Sequence, residues 1–183
     1  MSMPPLDESV TVDEAGIWDA EAIAQVAATT FPLACPPEAG EDDIADFIER
    51  TLSAEKFAEY LSSPERTVLE ARTGGEIVGY LMAVDAAPED PAVAEVVTAR
   101  PAIEISKMYV MPGHQGSGVS SALMEAIIAR ATSLGRAGLW LGVNQKNARA
   151  RRFYEKHGFT VVGVRTFVVG AQTHDDFVMQ RTL

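Results

Sequence analysis

The sequence lacks the features that mark several large classes of protein. Its 183 residues include one cysteine, Cys35, so no disulfide framework can form within the chain. No apolar run approaches the roughly 20 residues that a membrane-spanning helix needs. The first residues lack the basic region and apolar stretch of a secretory signal. These absences favour a cytoplasmic protein without a membrane partner, and they predict that Cys35 is a packed, unreactive thiol.

Positive charge is also scarce. The chain carries 15 Lys and Arg against 26 Asp and Glu, a net charge of -11. Nucleic-acid binding requires clustered cations, so it is not expected. The charges are unevenly distributed, with a balance of -16 over residues 1–100 and of +5 over residues 101–183. This asymmetry either serves solubility alone or marks one face for an anionic partner and another for a cationic one.

The patterning predicts one domain over residues 1–183. Hydrophobic residues make up 47% and charged residues 22%, values typical of soluble globular proteins. Apolar periodicity predicts, in order, a strand, three helices, a hairpin, a strand, a helix, a strand, a helix and a final strand pair. That order is typical of an α/β (α+β) fold in which helices cover both faces of a mixed sheet. Pro32 is expected to end the first helix, and Trp18 and Trp140 are expected in the core.

The most informative segment is a glycine-rich loop between a predicted strand at 102–110 and a predicted helix at 119–134. Glycine allows a close approach of the backbone to a ligand, and free N–H groups in the first turn of a helix bind phosphate. A P-loop would need a Lys before its Ser or Thr, which Gly118-Val119-Ser120 does not supply. A dinucleotide site would need an acidic residue about 20 positions later. No Asp or Glu lies between Glu125 and Glu155.

Three segments together resemble the GNAT superfamily of N-acetyltransferases. The first resembles its pyrophosphate loop, with Ser120 where Gly or Ala is usual, and reads Gln115-Gly116-Ser117-Gly118-Val119-Ser120. The helix from Asn147 to Gly158 resembles the second cofactor motif, and residues 104–110 resemble the strand that holds the acyl group. The resemblance implies a mixed, mostly antiparallel, twisted sheet of about seven strands with helices on both faces.

The same resemblance implies acetyl-CoA as cosubstrate, with no metal. The residues that it places at the cofactor are Met108, Tyr109, Val110, Gln115, Gly116, Ser117, Gly118, Val119, Ser120, Ser121, Asn147, Phe153 and Tyr154. Tyr154 is implied as the general acid that protonates the leaving sulfur, and a backbone N–H near Val110 as the donor to the thioester oxygen. Asn147 has two possible roles, as helix cap or as hydrogen-bonding partner of the pantetheine arm.

Glu104 is the candidate general base. An amine has a pKa of about 10 and must lose a proton before it can attack a thioester. The alternative is that Glu104 is an exposed or ion-paired strand carboxylate. Strand alternation predicts that Glu104, Ser106 and Met108 share one side of the strand, with Lys107 and Tyr109 on the other.

The function that these motifs favour is acetyl transfer from acetyl-CoA to an amine, by direct attack through a tetrahedral intermediate. A small molecule or polyamine is favoured, because the acidic first part of the chain and the segment 85–101 would face the acceptor and attract cations. A peptide or protein N-terminus or a lysine is the alternative acceptor, and a non-catalytic CoA-binding regulatory module is the alternative class. By analogy with the family, the exposed last strand would give a homodimer by pairing with a second copy.

Overall fold

Seven strands form one mixed sheet in the part of the chain that the structure describes. The structure is a computed structural model and describes residues 9–116, 118–169 and 171–183. The strands are β1 (Thr11–Glu14), β2 (Arg66–Thr73), β3 (Glu76–Val84), β4 (Ala102–Val110), β5 (Gly138–Asn144), β6 (Thr160–Val169) and β7 (Gln172–Thr182). The helices are α1 (Ala20–Ala34), α2 (Glu41–Thr51), α3 (Ala54–Ser62), α4 (Pro91–Val96), α5 (Val119–Ser133) and α6 (Ala148–Lys156).

The strand order places the predicted final pair at one end of the sheet. The order is β1-β2-β3-β4-β5-β7-β6. Neighbouring strands are antiparallel except β4 and β5, which run parallel. The last strand, β7, therefore lies inside the sheet between β5 and β6. The expectation that the last strand is an exposed edge is wrong, because β7 pairs on both sides and β6 is the edge.

Apolar cores lie on both faces of the sheet, as the patterning predicts. On one face α5 packs through Leu123, which is fully buried. On the other face α1 and α3 pack through Ile23 and Phe57, also fully buried. Burying side chains of this size stabilises the fold by about 1.5–3 kcal/mol each. Side chains alternate along β3, so Leu81 enters the first core and Tyr80 the second.

Helix α1 continues past the proline that was expected to end it. Pro32 lies in its last turn, and the helix ends at Ala34. A proline there removes a single backbone hydrogen bond, and the N–H of Cys35 still closes the turn on the carbonyl of Pro32 at 3.4 Å. The extra turn brings the end of α1 over the middle of the sheet, where it helps to enclose the cavity described below.

Strand β4 contains a bulge that reverses the predicted orientation of its side chains. Lys107 pairs with Met82 on β3, but Ile105 pairs with the next residue, Ala83, so Ser106 is an extra residue in the strand. Glu104 therefore shares the α1 face of the sheet with Lys107 and Tyr109. The prediction that Glu104 lies with Met108, opposite Lys107 and Tyr109, is wrong because simple alternation fails at the inserted residue.

A short helix, α4, orders the segment 85–101. The segment forms no part of the cavities at the candidate active site. The side chain of Asp90 caps α4 by accepting from the N–H of Ala92 at 2.9 Å. Val93 and Val97 are fully buried against Trp140, which is 4% exposed, so the core prediction for that tryptophan is confirmed. Trp18 is 84% exposed, so its predicted burial is wrong. Among the described helices, none is long and apolar enough to span a bilayer.

Candidate active site

The sheet opens between β4 and β5. The two strands pair over three positions, from Ala102 with Gly138 to Glu104 with Trp140. Past Glu104 they separate, because β5 keeps its pairing with β7 while β4 follows β3. A cavity of about 260 Å³ occupies the opening; we call it the cleft cavity.

The walls of the cleft cavity come from six elements, α1, β4, β5, α6, β6 and β7, and bring several predicted cofactor residues together. Met108 and Tyr109 of β4 form one side. Asn147 and Tyr154, at the start and the last turn of α6, lie on the other, and the end of α1 closes the cavity with Cys35. Cys35 is half-buried on this wall, and burial raises the pKa of its thiol. That shift agrees with low reactivity, although the side chain lies at a cavity and not within the core.

Two predicted cofactor residues lie beside the cavity without lining it. The side chain of Val110 is 9% exposed and packs into the α5 core, so any cofactor contact there would come from its backbone. Phe153 is half-buried and packs its ring against Tyr154, with centroids 5.5 Å apart, and against His157 at 4.6 Å. Phe153 packs within the last turn of α6, which also contains Tyr154.

The glycine-rich loop leads into the N-terminus of α5 with an open backbone. Gly116 and Gly118 have φ values of 80° and 87°, in the left-handed region that favours glycine. Gly118 is the N-cap of α5 and, having no side chain, leaves the N–H groups of the first turn uncapped. A Cβ built at either glycine would meet nothing within 4 Å, so the backbone faces open space. This is the geometry in which a helix N-terminus binds phosphate.

The other predicted loop residues have different environments. Gln115 is exposed, whereas Val119 is 1% exposed and anchors the helix start in the core. Ser120 and Ser121 are half-buried, and the hydroxyl of Ser121 lies 3.4 Å from Nε2 of His157, which links the start of α5 to the end of α6. Ser117 lies outside the described residues.

Tyr154 presents its hydroxyl to the cleft cavity in a protonated form. Loss of solvent around the phenol raises its pKa to about 12. The ring is held by Phe153 and by Phe159, the latter at 6.0 Å between centroids. No described residue hydrogen-bonds the hydroxyl, so its proton is available to a bound molecule.

Asn147 caps helix α6, the first of the two roles that the sequence left open. Its Oδ1 accepts from the N–H of Ala150 at 3.1 Å and so caps α6. The side chain also lines the cleft cavity. The cap uses only the oxygen, and no described residue accepts from Nδ2, so this donor can serve a ligand.

A second cavity, of about 250 Å³, adjoins the first across the bulge of β4. We call it the bulge cavity; its residues are Phe31, Phe47, Leu52, Glu104, Ser106, Lys107, Tyr109 and Arg165. Ser106, Lys107 and Tyr109 line both cavities, as do Phe31 and Arg165. The bulge therefore brings Glu104, on the α1 face, next to the opening that holds Tyr154.

The charged groups in the bulge cavity shift one another's proton affinities. Burial raises the pKa of Glu104, while the positive charges of Arg165 and Lys107 oppose that rise. Glu89 in the segment 85–101 adds a small upward effect through its charge, although it lines neither cavity. Burial lowers the pKa of Lys107 to about 8, against the attraction of Glu104. A carboxylate with a raised pKa is a stronger base than an ordinary glutamate.

An ion pair that no sequence motif indicated lines the cleft cavity, and its arginine also lines the bulge cavity. Nε of Arg165 on β6 lies 3.3 Å from Oδ2 of Asp176 on β7, whose side chain is 7% exposed. Burial raises the pKa of Asp176, and Arg165 opposes that shift. The guanidinium lies flat against Gly142 of β5, where a Cβ would come within 2.3 Å of Nη2, and 5.5 Å from the Trp140 ring centroid. A glycine inside a strand can mark such a close approach, and Gly142 was the available signal.

No group of three His, Cys, Asp or Glu side chains in the described ranges is arranged to hold a metal ion. The lining of the two cavities includes a phenol, Tyr154, and a carboxylate, Glu104. An uncapped, glycine-rich helix start can hold the phosphates of a cofactor such as CoA. The model of the acetyltransferase (GNAT) family matches residues 22–159. The chain belongs to the GNAT acetyltransferase family.

Relatives in sequence have the same assignment. The chain is 47% identical over 165 residues to an uncharacterised N-acetyltransferase of Mycobacterium tuberculosis, a match that covers 90% of this chain and 98% of the relative. It is 29% identical over 142 residues to an uncharacterised N-acetyltransferase of Lactobacillus delbrueckii subsp. lactis, covering 78% and 79% of the two chains. The predicted family and the predicted class of enzyme, an acetyl-CoA-dependent N-acetyltransferase, are confirmed.

Solved structures confirm the predicted fold. The PaiA N-acetyltransferase of Thermoplasma acidophilum, in complex with coenzyme A, aligns with a TM-score of 0.75 at 20% identity over 96% of this chain and 99% of that one. The ribosomal-protein-S18-alanine N-acetyltransferase of Escherichia coli aligns with a TM-score of 0.69 at 20% identity, over 95% and 94% of the two chains. These two proteins have unlike names at the same identity, so their likeness to this chain defines the fold and not the acceptor.

Proposed function

We propose that this chain transfers the acetyl group of acetyl-CoA to the primary amine of a small molecule by direct attack. The observation that carries the proposal is the junction of two cavities at the β4 bulge. Tyr154, a protonated phenol, lines one cavity, and Glu104, a carboxylate of raised pKa, lines the other. A donor for the leaving sulfur and an acceptor for the amine proton thus lie on opposite sides of one strand.

The cofactor end uses mainly backbone groups. The first-turn N–H groups of α5, from Val119 to Ser121, bind the diphosphate of CoA, together with the positive end of the helix dipole. Gln115 and Gly116 precede them in the loop and complete the binding surface. The Nδ2 of Asn147 donates to the pantetheine arm, and Met108 and Tyr109 lie along it on the opened edge of β4.

The acyl end joins backbone and side-chain groups. An N–H at Val110 donates to the thioester oxygen, which gains negative charge in the tetrahedral intermediate. Glu104 accepts the proton that the attacking amine loses, directly or through water. Tyr154 donates its proton to the sulfur as the C–S bond breaks; a thiolate with a pKa of about 8.5 is already a good leaving group, so this assistance is partial.

The size of the bulge cavity supports a small acceptor. Pockets for drug-sized ligands are usually about 300–1,000 Å³, and this one is about 250 Å³. A peptide or protein N-terminus would occupy it with its first residue alone and would need further surface outside. A polyamine, which the acidic charge of residues 1–100 favours, is an alternative acceptor. A panel of acceptors that includes polyamines tests it.

The test is release of free thiol from acetyl-CoA in the presence of an acceptor panel: small monoamines, amino acids, amino sugars, polyamines and N-terminal peptides. We expect turnover with at least one small amine, and calorimetry should detect binding of CoA. Binding without turnover for every acceptor would favour the non-catalytic CoA-binding module. No binding of CoA would overturn the proposal itself.

Two further expectations extend this proposal. We propose that residues 1–183 act as one domain, because the sheet spans the described chain from β1 to β7. We also propose a homodimer through the edge strand β6, where the side chains of Val164 and Val168 are 57% and 56% exposed. Light scattering would measure the mass; a monomer at every concentration would exclude the dimer.

A further inference from the structure

The bulge cavity carries positive charge that a site for a cationic amine does not need. Arg165 and Lys107 both line it, whereas Glu104 is the one carboxylate among its lining residues. Asp176 offsets part of the Arg165 charge from outside the cavity. The chain as a whole has a net charge of -11, so the interior of this site has the opposite character to the molecule.

Both cations retain unused hydrogen-bond donors. Arg165 bonds Asp176 through Nε, and neither Nη atom bonds a described residue. The ammonium of Lys107 has one described hydrogen-bond partner, the hydroxyl of Ser106 at 3.4 Å. Neither cation hydrogen-bonds Glu104 in the described structure, so the carboxylate does not consume their donors. A planar guanidinium with two free Nη groups matches the two oxygens of a carboxylate.

We propose that Arg165 and Lys107 form an anion subsite and that the acceptor is an amino acid with an apolar side chain. Its carboxylate pairs with Arg165 and Lys107, and its amine faces Glu104. This inference rests on the proposed function and names its acceptor class. A polyamine fits poorly, because its second ammonium would meet the two cations.

The remaining walls suit the apolar part of such a molecule. The rings of Phe31 and Phe47 are stacked, with centroids 4.6 Å apart and planes 12° from parallel. Leu52, 1% exposed, lies beside them. An aromatic and aliphatic surface in the same cavity as an anion subsite accommodates a side chain such as that of leucine or phenylalanine. Such an amino acid is neutral overall, so the negative charge of the protein does not repel it.

The decisive comparison uses acceptors that differ by a single charge. L-Leucine and L-phenylalanine are assayed against leucinamide and phenylalaninamide, which keep the amine and the side chain but lack the carboxylate. Hydrogen bonds to charged groups are worth about 1.5–3 kcal/mol, so kcat/KM should be at least about ten-fold higher for the acids. Equal or better turnover of the amides, or of spermidine, would overturn the inference.

Variants assign the preference to the two cations. In the double variant Arg165→Gln with Asp176→Asn, which removes the arginine together with the carboxylate that pairs with it, the acid-to-amide ratio of kcat/KM should fall toward one. Arg165→Lys should retain part of the preference. Lys107→Gln should lower the ratio independently, and it tests the proposal if the double variant does not fold. A purely structural role would change both acceptors equally and leave the ratio unchanged.

A binding measurement separates this inference from the proposed function. Calorimetry with CoA-saturated protein should detect leucine more strongly than leucinamide, whether or not acetyl transfer occurs. Turnover of amides without preference for acids would refute the anion subsite and leave the proposed acetyl transfer intact. Preferential leucine binding without any thiol release would refute the transfer and retain the subsite.

Discussion

The proposed cofactor-binding surface and the bulge cavity are built in different ways. The proposed cofactor-binding surface consists of short continuous segments, the loop before α5 and the helix α6, and it offers mainly backbone donors. The bulge cavity consists of single side chains from α1, α2, β4 and β6, which are far apart in the chain. A surface made from backbone groups depends on conformation and tolerates varied side chains. A surface made from separate side chains can change its specificity one residue at a time.

This difference predicts that changes at the two surfaces are separable. A change in the proposed cofactor-binding surface should alter the affinity for CoA, and a change in the bulge cavity should alter the preference among acceptors. A change of Tyr154 or Glu104, the residues proposed to act on the reacting atoms, should alter kcat.

The largest effect is expected from Tyr154→Phe. Loss of a general acid typically costs about 100-fold or more in rate, so kcat should fall by that order while calorimetry shows an unchanged affinity for CoA. Tyr80→Phe is the matched control, because the hydroxyl of Tyr80 is buried without a described partner and lies in neither cavity. An unchanged rate in Tyr154→Phe would remove the acid role.

The next effect is expected from Glu104→Gln, with a loss in kcat of about 10–100-fold at neutral pH. The active form of Glu104 is the unprotonated carboxylate, so kcat should fall as the pH drops through its pKa. Burial raises that pKa, which places the fall at a higher pH than the value of about 4.3 for an ordinary glutamate. The Glu104→Gln variant should not show this fall of kcat at low pH. If the variant and the unaltered protein showed the same fall, Glu104 would be excluded as the base.

Much of the backbone structure at the proposed cofactor-binding surface could be predicted from the sequence because its signals are local. The bounds of β4, Ala102–Val110, and the capping of α6 by Asn147 agree with the expectation. Each depends on residues within a few positions of one another. The glycines of the loop are informative for the same reason, since Gly118 needs its positive φ whatever the rest of the fold does.

The bulge cavity could not be predicted because its determinants are long-range. A single inserted residue, Ser106, decides which face Glu104 occupies, and the strand pairing that reveals it involves β3. Arg165 and Asp176 meet across two strands, and the space for Arg165 comes from Gly142 on a third. The overall charge balance gives no information on this cavity either, since it averages over the surface and does not describe the interior of one site.

A ten-fold effect on cofactor affinity is expected from Gly118→Ala. An L-residue in the left-handed region costs about 1–2 kcal/mol, and relaxing that strain would displace the N–H groups at the start of α5. The Kd for CoA should therefore rise by about ten-fold. Gly75→Ala is the matched control, with φ of 84° against 87° and equally open surroundings, in the turn between β2 and β3.

Both glycine variants should lose similar stability in thermal melts, because the backbone strain is the same. The Kd for CoA should change in Gly118→Ala and stay constant in Gly75→Ala. An equal rise in both would show that general destabilisation weakens CoA binding. An unchanged Kd in Gly118→Ala would show that the start of α5 does not hold the diphosphate.

The smallest effect is expected from Gly142→Ala. This variant tests whether acceptor binding in the bulge cavity can be changed without a change in CoA binding. The new methyl would meet Nη2 of Arg165 at 2.3 Å, so the guanidinium must move although no charge is altered. We expect KM for leucine to rise by about 3–10-fold, as for a weakened charged hydrogen bond, with the Kd for CoA within two-fold.

Gly163→Ala is the control: it also crowds a neighbour, Val96 at 2.8 Å, but lies outside both cavities. It should lower the melting temperature and leave KM unchanged. A parallel rise of KM and of the Kd for CoA in Gly142→Ala would show that the two cavities act as one site, since Gly142 also lines the cleft cavity.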